Sequence, residues 1–125
     1  MDMLYVDGTG ISGRKPLSRI GMAKEYINDN YARQLPLKEV AEAVDLNTSY
    51  FSNFFKLKTG KKFTDYLLDV RMNHAIELLC DPRTKIYEIG ILVGYEDVVS
   101  FGRAFRKKFK MSPGQYREQV ISCIQ

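Results

Sequence analysis

Two stretches of the sequence decide the fold because they repeat one pattern: LKEVAEAVDLNTSYFSNFFKLKTG at residues 37–60 and IYEIGILVGYEDVVSFGRAFRKKFK at residues 86–110. Four apolar positions align at an offset of 49 residues: Leu37, Val40, Ala41 and Val44 with Ile86, Ile89, Gly90 and Val93. After a short break the offset becomes 50 and aligns a second apolar set: Phe51, Phe54 and Phe55 with Phe101, Ala104 and Phe105. A short helix, a tight turn and a second helix thus occur twice, which predicts two helix-turn-helix units.

Apolar residues recur at helical spacing from residue 16 onward, and no strand-like alternation persists. We therefore predict an all-α fold. Asn47 is a good N-cap for the second helix of the first unit, and Gly60 suits the left-handed position that ends this helix. The longest uninterrupted helical stretch, residues 63–80, lies between the units and predicts a linking helix.

We predict one domain over residues 16–125, preceded by a linker or an expression remnant at residues 1–15. Its predicted parts are the first helix-turn-helix at 36–60, the linking helix at 63–80, the second helix-turn-helix at 84–110 and a C-terminal helix at 112–122. Ser112 and Gln115 have capping-box spacing, which predicts the start of this last helix. Glycines 8, 10 and 13 match a dinucleotide-binding pattern only weakly, because no strand–helix unit follows them.

The placement of charge is more informative than its total. The chain has 45% hydrophobic and 27% charged residues, typical of a folded globular domain, and a net charge of only +4. Two windows without acidic residues, between Asp45 and Asp65 and between Asp97 and Glu118, hold ten of the 19 basic residues. These are Lys56, Lys58, Lys61 and Lys62, and Arg103, Arg106, Lys107, Lys108, Lys110 and Arg117. The cations therefore gather at the second helix of each unit.

The sequence offers little for catalysis or metal binding. His74 is the only histidine, so a histidine-based metal site cannot be built, and we expect no cofactor and no enzymatic activity. Cys80 and Cys123 lie far apart in a chain without a signal-peptide core, which favours the reducing cytoplasm. No apolar run approaches the roughly 20 residues that cross a bilayer, so we predict no membrane contact.

The outer face of each second helix suits a DNA groove. The phenylalanines face inward, which leaves polar or small residues and cations outside: Ser49, Ser52, Asn53 and Lys56 in the first unit, and Val99, Gly102, Arg103 and Arg106 in the second. Such a helix can read base edges with its tip and bind phosphates with its cations. The linking helix, about 27 Å long, can hold two such helices roughly 34 Å apart, one turn of B-DNA.

These residues resemble the C-terminal DNA-binding domain of the AraC/XylS family of bacterial transcription regulators. The resemblance rests on motifs in order along the chain: Tyr50-Phe51, Phe55-Lys56, Thr59-Gly60, Phe63, Tyr66-Leu67, Arg71-Met72, Ala75, Leu78-Leu79, Ile86, Ile89, Val93-Gly94-Tyr95, Phe101, Arg103, Phe105-Arg106-Lys107, Ser112-Pro113 and Tyr116-Arg117. It implies a seven-helix domain that binds double-stranded DNA sequence-specifically, with two recognition helices in adjacent segments of the major groove. It also implies RNA polymerase and a separate sensor or receiver domain as partners.

Carried over by position, the resemblance assigns two sets of DNA contacts. The base-reading residues are Ser49, Ser52, Asn53, Val98, Val99, Gly102 and Arg103. The DNA-backbone residues are Asn47, Thr48, Tyr50, Lys56, Lys61, Lys62, Arg106, Lys107, Lys108 and Tyr116. Arg103 is the sharpest candidate, because arginine can bond both acceptors of a guanine edge.

Three positions carry further expectations. Gly90 stands where the family usually has alanine, which should loosen its helix by roughly 0.5–1 kcal/mol. Lys110 replaces the glycine that Gly60 keeps, so the second unit is expected to be less rigid or to end its helix differently. Arg71 lies among apolar neighbours, and we expect it to form a salt bridge with Glu77, Asp69 or another carboxylate rather than to contact DNA.

A competing hypothesis remains open. The helix-turn-helix scaffold also serves protein-interaction modules, which contact a transcription partner such as RNA polymerase without reading DNA. Binding to random duplex DNA that weakens steeply with salt distinguishes the two functions.

Overall fold

The chain folds into helices joined by short turns. A computed structural model describes residues 18–124, with side chains to residue 122, and contains α1 (Arg19–Asn30), α2 (Leu37–Ala43), α3 (Thr48–Thr59), α4 (Phe63–Leu79), α5 (Ile86–Leu92), α6 (Val98–Phe109) and α7 (Pro113–Ile124). Within that range there is no strand, and the predicted all-α fold is confirmed. The predicted linker at residues 1–15 lies outside the described residues.

The first unit consists of α2 and α3, and its core also uses α1 and the start of α4. The buried residues of this core are Ala23, Ile27, Leu35, Val40, Ala41, Val44, Phe51, Phe55, Phe63 and Leu67. Phe51 and Phe55 are fully buried, and each such side chain stabilises the fold by roughly 1.5–3 kcal/mol. They fix the inner face of α3 and thereby leave its opposite face to solvent.

The second unit consists of α5 and α6, and its core uses the end of α4 together with α7. The buried residues of this core are Met72, Ala75, Leu79, Ile89, Val93, Phe101 and Phe105. The linking helix α4 thus contributes one end to each core. The two sets of buried residues do not overlap, and α4 and Tyr31 contact both cores.

The turns and helix ends follow the chemistry of their sequence. The side-chain oxygen of Asn47 accepts a hydrogen bond from the backbone N–H of Tyr50 at 2.8 Å, so its N-cap role is confirmed. Ser112 and Gln115 bond reciprocally, as a capping box requires. Asp97, which was not predicted as a cap, caps α6 through the N–H of Ser100, and it aligns with Asn47 in the repeat.

The expectation that Lys110 ends its helix differently is wrong. Lys110 adopts the left-handed conformation at φ +64°, and Gly60 does so at φ +79°. The backbone N–H of each residue bonds the carbonyl four residues earlier at 2.8 Å. The helix end requires this conformation because it satisfies a carbonyl that would otherwise be unpaired. A lysine accepts the same position at a conformational cost.

Gly90 has a packing role that the sequence did not reveal. A Cβ atom added there would lie 2.9 Å from the Cβ of Phe101, closer than real Cβ contacts allow. Helices α5 and α6 therefore approach more closely than an alanine permits. The expectation that Gly90 only loosens its helix overlooked this contact.

Candidate nucleic-acid interface

The predicted reading face of the first unit is accessible along α3. Ser49, Ser52, Asn53 and Lys56 are all exposed, on the side opposite the buried phenylalanines. Asn47 and Tyr50 are also exposed near the start of this helix, whereas Thr48 is half-buried. The first unit therefore presents mainly hydroxyl and amide groups at the helix tip, with a cation further along.

The predicted reading face of the second unit is apolar and cationic. Val98 and Val99 are exposed at the start of α6, and Gly102 leaves open space beside Arg103. Arg106 and Lys107 are exposed in the last turn. This face offers methyl groups and a guanidinium where the first unit offers hydroxyls and an amide.

Each reading face borders a cleft where the next helix begins. The cleft of the first unit, about 340 Å³, is lined by Leu37, Ser52, Asn53, Lys56, Lys62, Phe63 and Thr64. The cleft of the second unit, about 500 Å³, is lined by Val98, Val99, Gly102, Arg103, Arg106, Lys107, Ser112 and Pro113. Neither lining contains an acidic residue, so both clefts are electropositive. The structure thus brings base-reading and backbone candidates together at the same place in each repeat.

The tips of the two reading helices differ in charge. Asn47 caps α3 with a neutral amide, whereas Asp97 caps α6 with a carboxylate. The backbone N–H and side chain of Ser100 stabilise that carboxylate and hold the pKa of Asp97 below its usual range. The negative charge of Asp97 therefore persists at the tip of α6.

Two lysines assigned to the DNA backbone already have a partner. Lys61, just beyond α3, and Lys108, in the last turn of α6, both bind the carboxylate of Asp69 on α4. Burial raises the pKa of Asp69, but the contacts with Lys108 and Lys61 outweigh it and hold this pKa below its usual range. The same ion pair raises the pKa of Lys61. DNA contact by these lysines stays a prediction.

Tyr116 is less accessible than its assigned role suggests. Its ring packs edge-on against Phe105, with 5.8 Å between ring centroids, and also lies against Phe109. Tyr66, its counterpart in the repeat, packs edge-on against Phe55 in the same way. Tyr116 is therefore part of the second core, whereas Tyr50 is more than half exposed.

Comparison with known proteins adds the family. Residues 19–119 match the model of a helix-turn-helix domain family. The chain is 36% identical over 95 residues to the lactose operon transcription activator of Staphylococcus xylosus, which covers 76% of this chain and 34% of that protein. The chain belongs to the AraC family of helix-turn-helix transcription regulators. It spans about a third of the length of the curated relatives it matches.

Solved structures of other regulator domains share its architecture. The C-terminal domain of the two-component response regulator yesN from Fusobacterium nucleatum is 40% identical, with a TM-score of 0.73 over 76% of this chain and 93% of that one. The DNA-binding domain of AdpA, solved in complex with a target DNA, has a TM-score of 0.79 over 85% of this chain and 96% of that one. At 19% identity, the AdpA structure shows the common fold. The Msm operon regulatory protein of Streptococcus mutans, a second curated relative, is 31% identical over 101 residues, which cover 81% of this chain and 36% of that protein.

In this AraC-family domain, the expected salt bridge of Arg71 is wrong. Its guanidinium donates from Nε to the carbonyl of Tyr31 at 2.9 Å and from Nη2 to the carbonyl of Arg33 at 2.8 Å. It also lies 5.4 Å from the ring centre of Tyr95. Arginine suits this place because its fork of donors reaches two backbone carbonyls just beyond the end of α1.

Arg117 repeats this arrangement in the second half of the AraC-type domain. Its Nε donates to the carbonyl of Leu79 at 3.1 Å, and its Nη2 donates to the carbonyls of Asp81 and Thr84 at 3.1 and 2.6 Å. Arg71 on α4 thus binds backbone carbonyls after the end of α1, and Arg117 on α7 binds those at and after the end of α4. Arg117 belongs to the second cluster of cations in the sequence, but in the structure it binds backbone carbonyls within the domain.

The described part of the chain contains no candidate metal site and no candidate membrane-spanning helix. No group of three histidine, cysteine, aspartate or glutamate side chains is placed to hold a metal ion within it. Among the helices of residues 18–124, none is long and apolar enough to cross a membrane.

Proposed function

We propose that this domain binds double-stranded DNA sequence-specifically for bacterial transcription regulation, with α3 and α6 inserted into two adjacent segments of the major groove. The observation that carries the proposal is the pair of clefts at equivalent places in the repeat, each electropositive and each beside an exposed reading helix. DNA requires this combination, because phosphate contacts supply affinity and base edges supply specificity.

The proposed roles follow from the groups each face presents. Ser49, Ser52 and Asn53 hydrogen-bond base edges in the first segment. In the second segment Arg103 binds a guanine, and Val98 and Val99 contact thymine methyl groups beside Gly102. The remaining candidates bind phosphates: Asn47, Thr48, Tyr50, Lys56, Lys61, Lys62, Arg106, Lys107, Lys108 and Tyr116.

The full-length protein is proposed to act through further partners. The yesN relative is a response regulator, which supports a receiver or sensor domain as one of them. A transcription regulator must also alter the activity of RNA polymerase, which is the second partner we propose. The proposal involves no enzymatic activity and no cofactor, and it places the protein in the cytoplasm, where bacterial DNA lies.

Salt dependence tests DNA binding itself. We expect binding to a random duplex at about 50 mM salt, measured by fluorescence anisotropy, and an affinity loss of at least about tenfold by about 200 mM, because each phosphate contact releases a counterion. An absence of binding at the lower salt concentration would refute the proposed function.

Two substitutions separate base reading from phosphate binding. On a site selected from random DNA, Arg103→Ala should abolish the preference at one base position. Lys62→Ala should instead lower the affinity for all duplexes by the same factor. Lys24→Ala is the control, because Lys24 is exposed on α1, away from both clefts. An unchanged base preference in Arg103→Ala would show that α6 does not read bases as proposed.

One observation favours protein interaction as a second function. Tyr87, Ile91 and Leu92 are each more than half exposed on α5. The aligned residues of α2 are Lys38, Glu42 and Ala43, so the apolar face occurs in the second unit alone. Substituting Ile91 with a charged residue should leave DNA binding intact and weaken contact with a protein partner, which a transcription assay alongside anisotropy would measure.

A further inference from the structure

The two reading helices are held relative to each other by few contacts. Each unit has its own hydrophobic core, and Tyr31 packs against both. Near Tyr31, a Cβ atom added to Gly94 would lie 2.7 Å from the carbonyl oxygen of that tyrosine, so the turn of the second unit sits tightly there. These contacts lie where α1 ends, and the C-terminal ends of α3 and α6 need a separate restraint.

Asp69 provides that restraint. Its Oδ2 binds Lys61, directly after α3, and its Oδ1 binds Lys108, in the last turn of α6. One carboxylate on α4 therefore joins the ends of both reading helices. The Asp69 side chain is only 22% exposed and that of Lys108 29%, so solvent screens their contact less than it screens a pair at the open surface.

We propose that Asp69 is a positioning residue that sets the spacing between the two DNA half-sites recognised by this domain. A half-site is the groove segment that α3 or α6 reads. The inference rests on the proposed function. One base pair more or less between the half-sites moves the second by about 3.4 Å along the duplex and turns it by about 35°. With α3 and α6 tied to one point on α4, only one spacing lets both helices reach their base edges.

Asp69→Asn tests this role, since the amide keeps the shape of the side chain and removes its charge. Duplexes carry the half-sites that the unaltered protein selects, at the selected spacing and at spacings one base pair shorter and longer. We expect the unaltered protein to bind the altered spacings about tenfold more weakly. Asp69→Asn should bind the selected spacing several-fold more weakly and the altered spacings about equally well, so the preference falls below about threefold.

Three controls keep the test specific. Asp65→Asn removes the same charge one turn earlier on α4, at an exposed position near Lys61, and should keep the spacing preference. Lys108→Gln releases only α6 from Asp69 and should reproduce the loss of preference even if Asp69→Asn fails to fold. On duplexes with a single half-site, Asp69→Asn and Asp65→Asn should match the unaltered protein within about twofold, which a merely destabilised variant would not. Lys108→Gln also loses a proposed phosphate contact, so it should weaken binding to every duplex by a common factor, and its readout is the ratio of affinities between spacings.

The outcomes separate this inference from the proposed function. A spacing profile that is unchanged in both Asp69→Asn and Lys108→Gln overturns the role of Asp69 alone. Equal gains in affinity for every duplex, in Asp69→Asn as in Asp65→Asn, also overturn it, because Asp69 would then only neutralise cations. Failure of the unaltered protein to select any duplex refutes the proposed function and this inference with it.

Discussion

The two helix-turn-helix units adopt left-handed backbone conformations at the same two positions but place different residues there. Each unit has two left-handed residues, one in the turn and one at the end of its second helix. In the first unit these are Asp45 and Gly60, and in the second Gly94 and Lys110. Glycine thus occupies the helix end in one unit and the turn in the other. The motif therefore imposes the left-handed conformation, and the residue type reflects what surrounds each position.

The surroundings of the two turns explain this exchange. A Cβ atom at Gly94 would meet the carbonyl oxygen of Tyr31 at 2.7 Å and Nε of Arg71 at 2.9 Å, so only glycine fits there. Asp45 is exposed, and its side chain has room. The turn of the second unit is packed against the first half of the domain, whereas the turn of the first unit faces solvent. The repeat is therefore asymmetric where the two units meet.

The largest effects should come from the two arginines that close helix ends. Arg71→Ala and Arg117→Ala should each lower the free energy of unfolding by about 3 kcal/mol, because charged donors to several carbonyls are lost. Urea denaturation measures this loss. Hydrogen exchange should accelerate around α1 and α2 in the first variant and around α5 and α7 in the second.

Arg83→Ala is the matched control for this pair. Arg83 is 88% exposed and bonds Asp81 at the surface, where solvent screens the pair, so its loss should cost much less than the loss of Arg71 or Arg117. If Arg71→Ala and Arg117→Ala destabilise no more than Arg83→Ala, the carbonyl contacts do not hold the helices together. If both accelerate exchange in the same helices, the two units are not separate.

These arginines also show which parts of the structure can be predicted from the sequence. Apolar spacing predicted the helices and the two units, since burial of one face fixes each helix, and capping chemistry predicted Asn47 and Ser112. The partners of Arg71 and Arg117 are backbone carbonyls more than 30 residues away, and no local pattern marks them. The site residues were carried over by position from the family resemblance, which assigns side chains to a face without showing that Lys61 and Lys108 share Asp69.

The next comparison concerns how closely the helices of each unit approach. Gly90→Ala should destabilise the domain by about 1–2 kcal/mol, because crowding against Phe101 exceeds the gain in helix propensity. Ala41, aligned with Gly90, is fully buried, and Ala41→Gly should cost a similar amount through lost burial and backbone entropy. Urea midpoints measure both variants. A stabilised Gly90→Ala would mean that α5 and α6 relax freely to a wider spacing.

Smaller effects are expected at the helix ends. Lys110→Gly should stabilise the domain by about 1 kcal/mol, because glycine adopts the left-handed conformation without the cost that lysine bears. The exposed bond from Lys110 Nζ to the carbonyl of Lys107 is lost, which offsets little. Gly60→Ala should destabilise by about the same amount. Equal midpoints for Lys110→Gly and the unaltered protein would show that this end of α6 bears no strain.

The smallest expected effect is a difference in stability between variants of Glu39 and of Glu88, which occupy the same place in α2 and α5. Glu39 accepts hydrogen bonds from Arg33 and from the hydroxyl of Tyr26, and these contacts, Arg33 foremost, lower the pKa of Glu39 to about 2. Glu88 instead accepts the N–H of Lys85 at the start of its own helix. A carboxylate that binds its partners in the folded state contributes stability only while it is ionised.

The direction of the pH dependence follows from the lowered value. Because the pKa of Glu39 lies below its ordinary 4.5, its contribution is complete above about pH 4.5 and is lost as the pH falls toward 2. The gap in urea midpoint between the unaltered protein and Glu39→Gln should therefore shrink between about pH 5 and about pH 3. Glu88→Gln controls for losing a first-turn carboxylate. A gap that stays constant over this range would mean that the Arg33 contact adds no stability to the first unit.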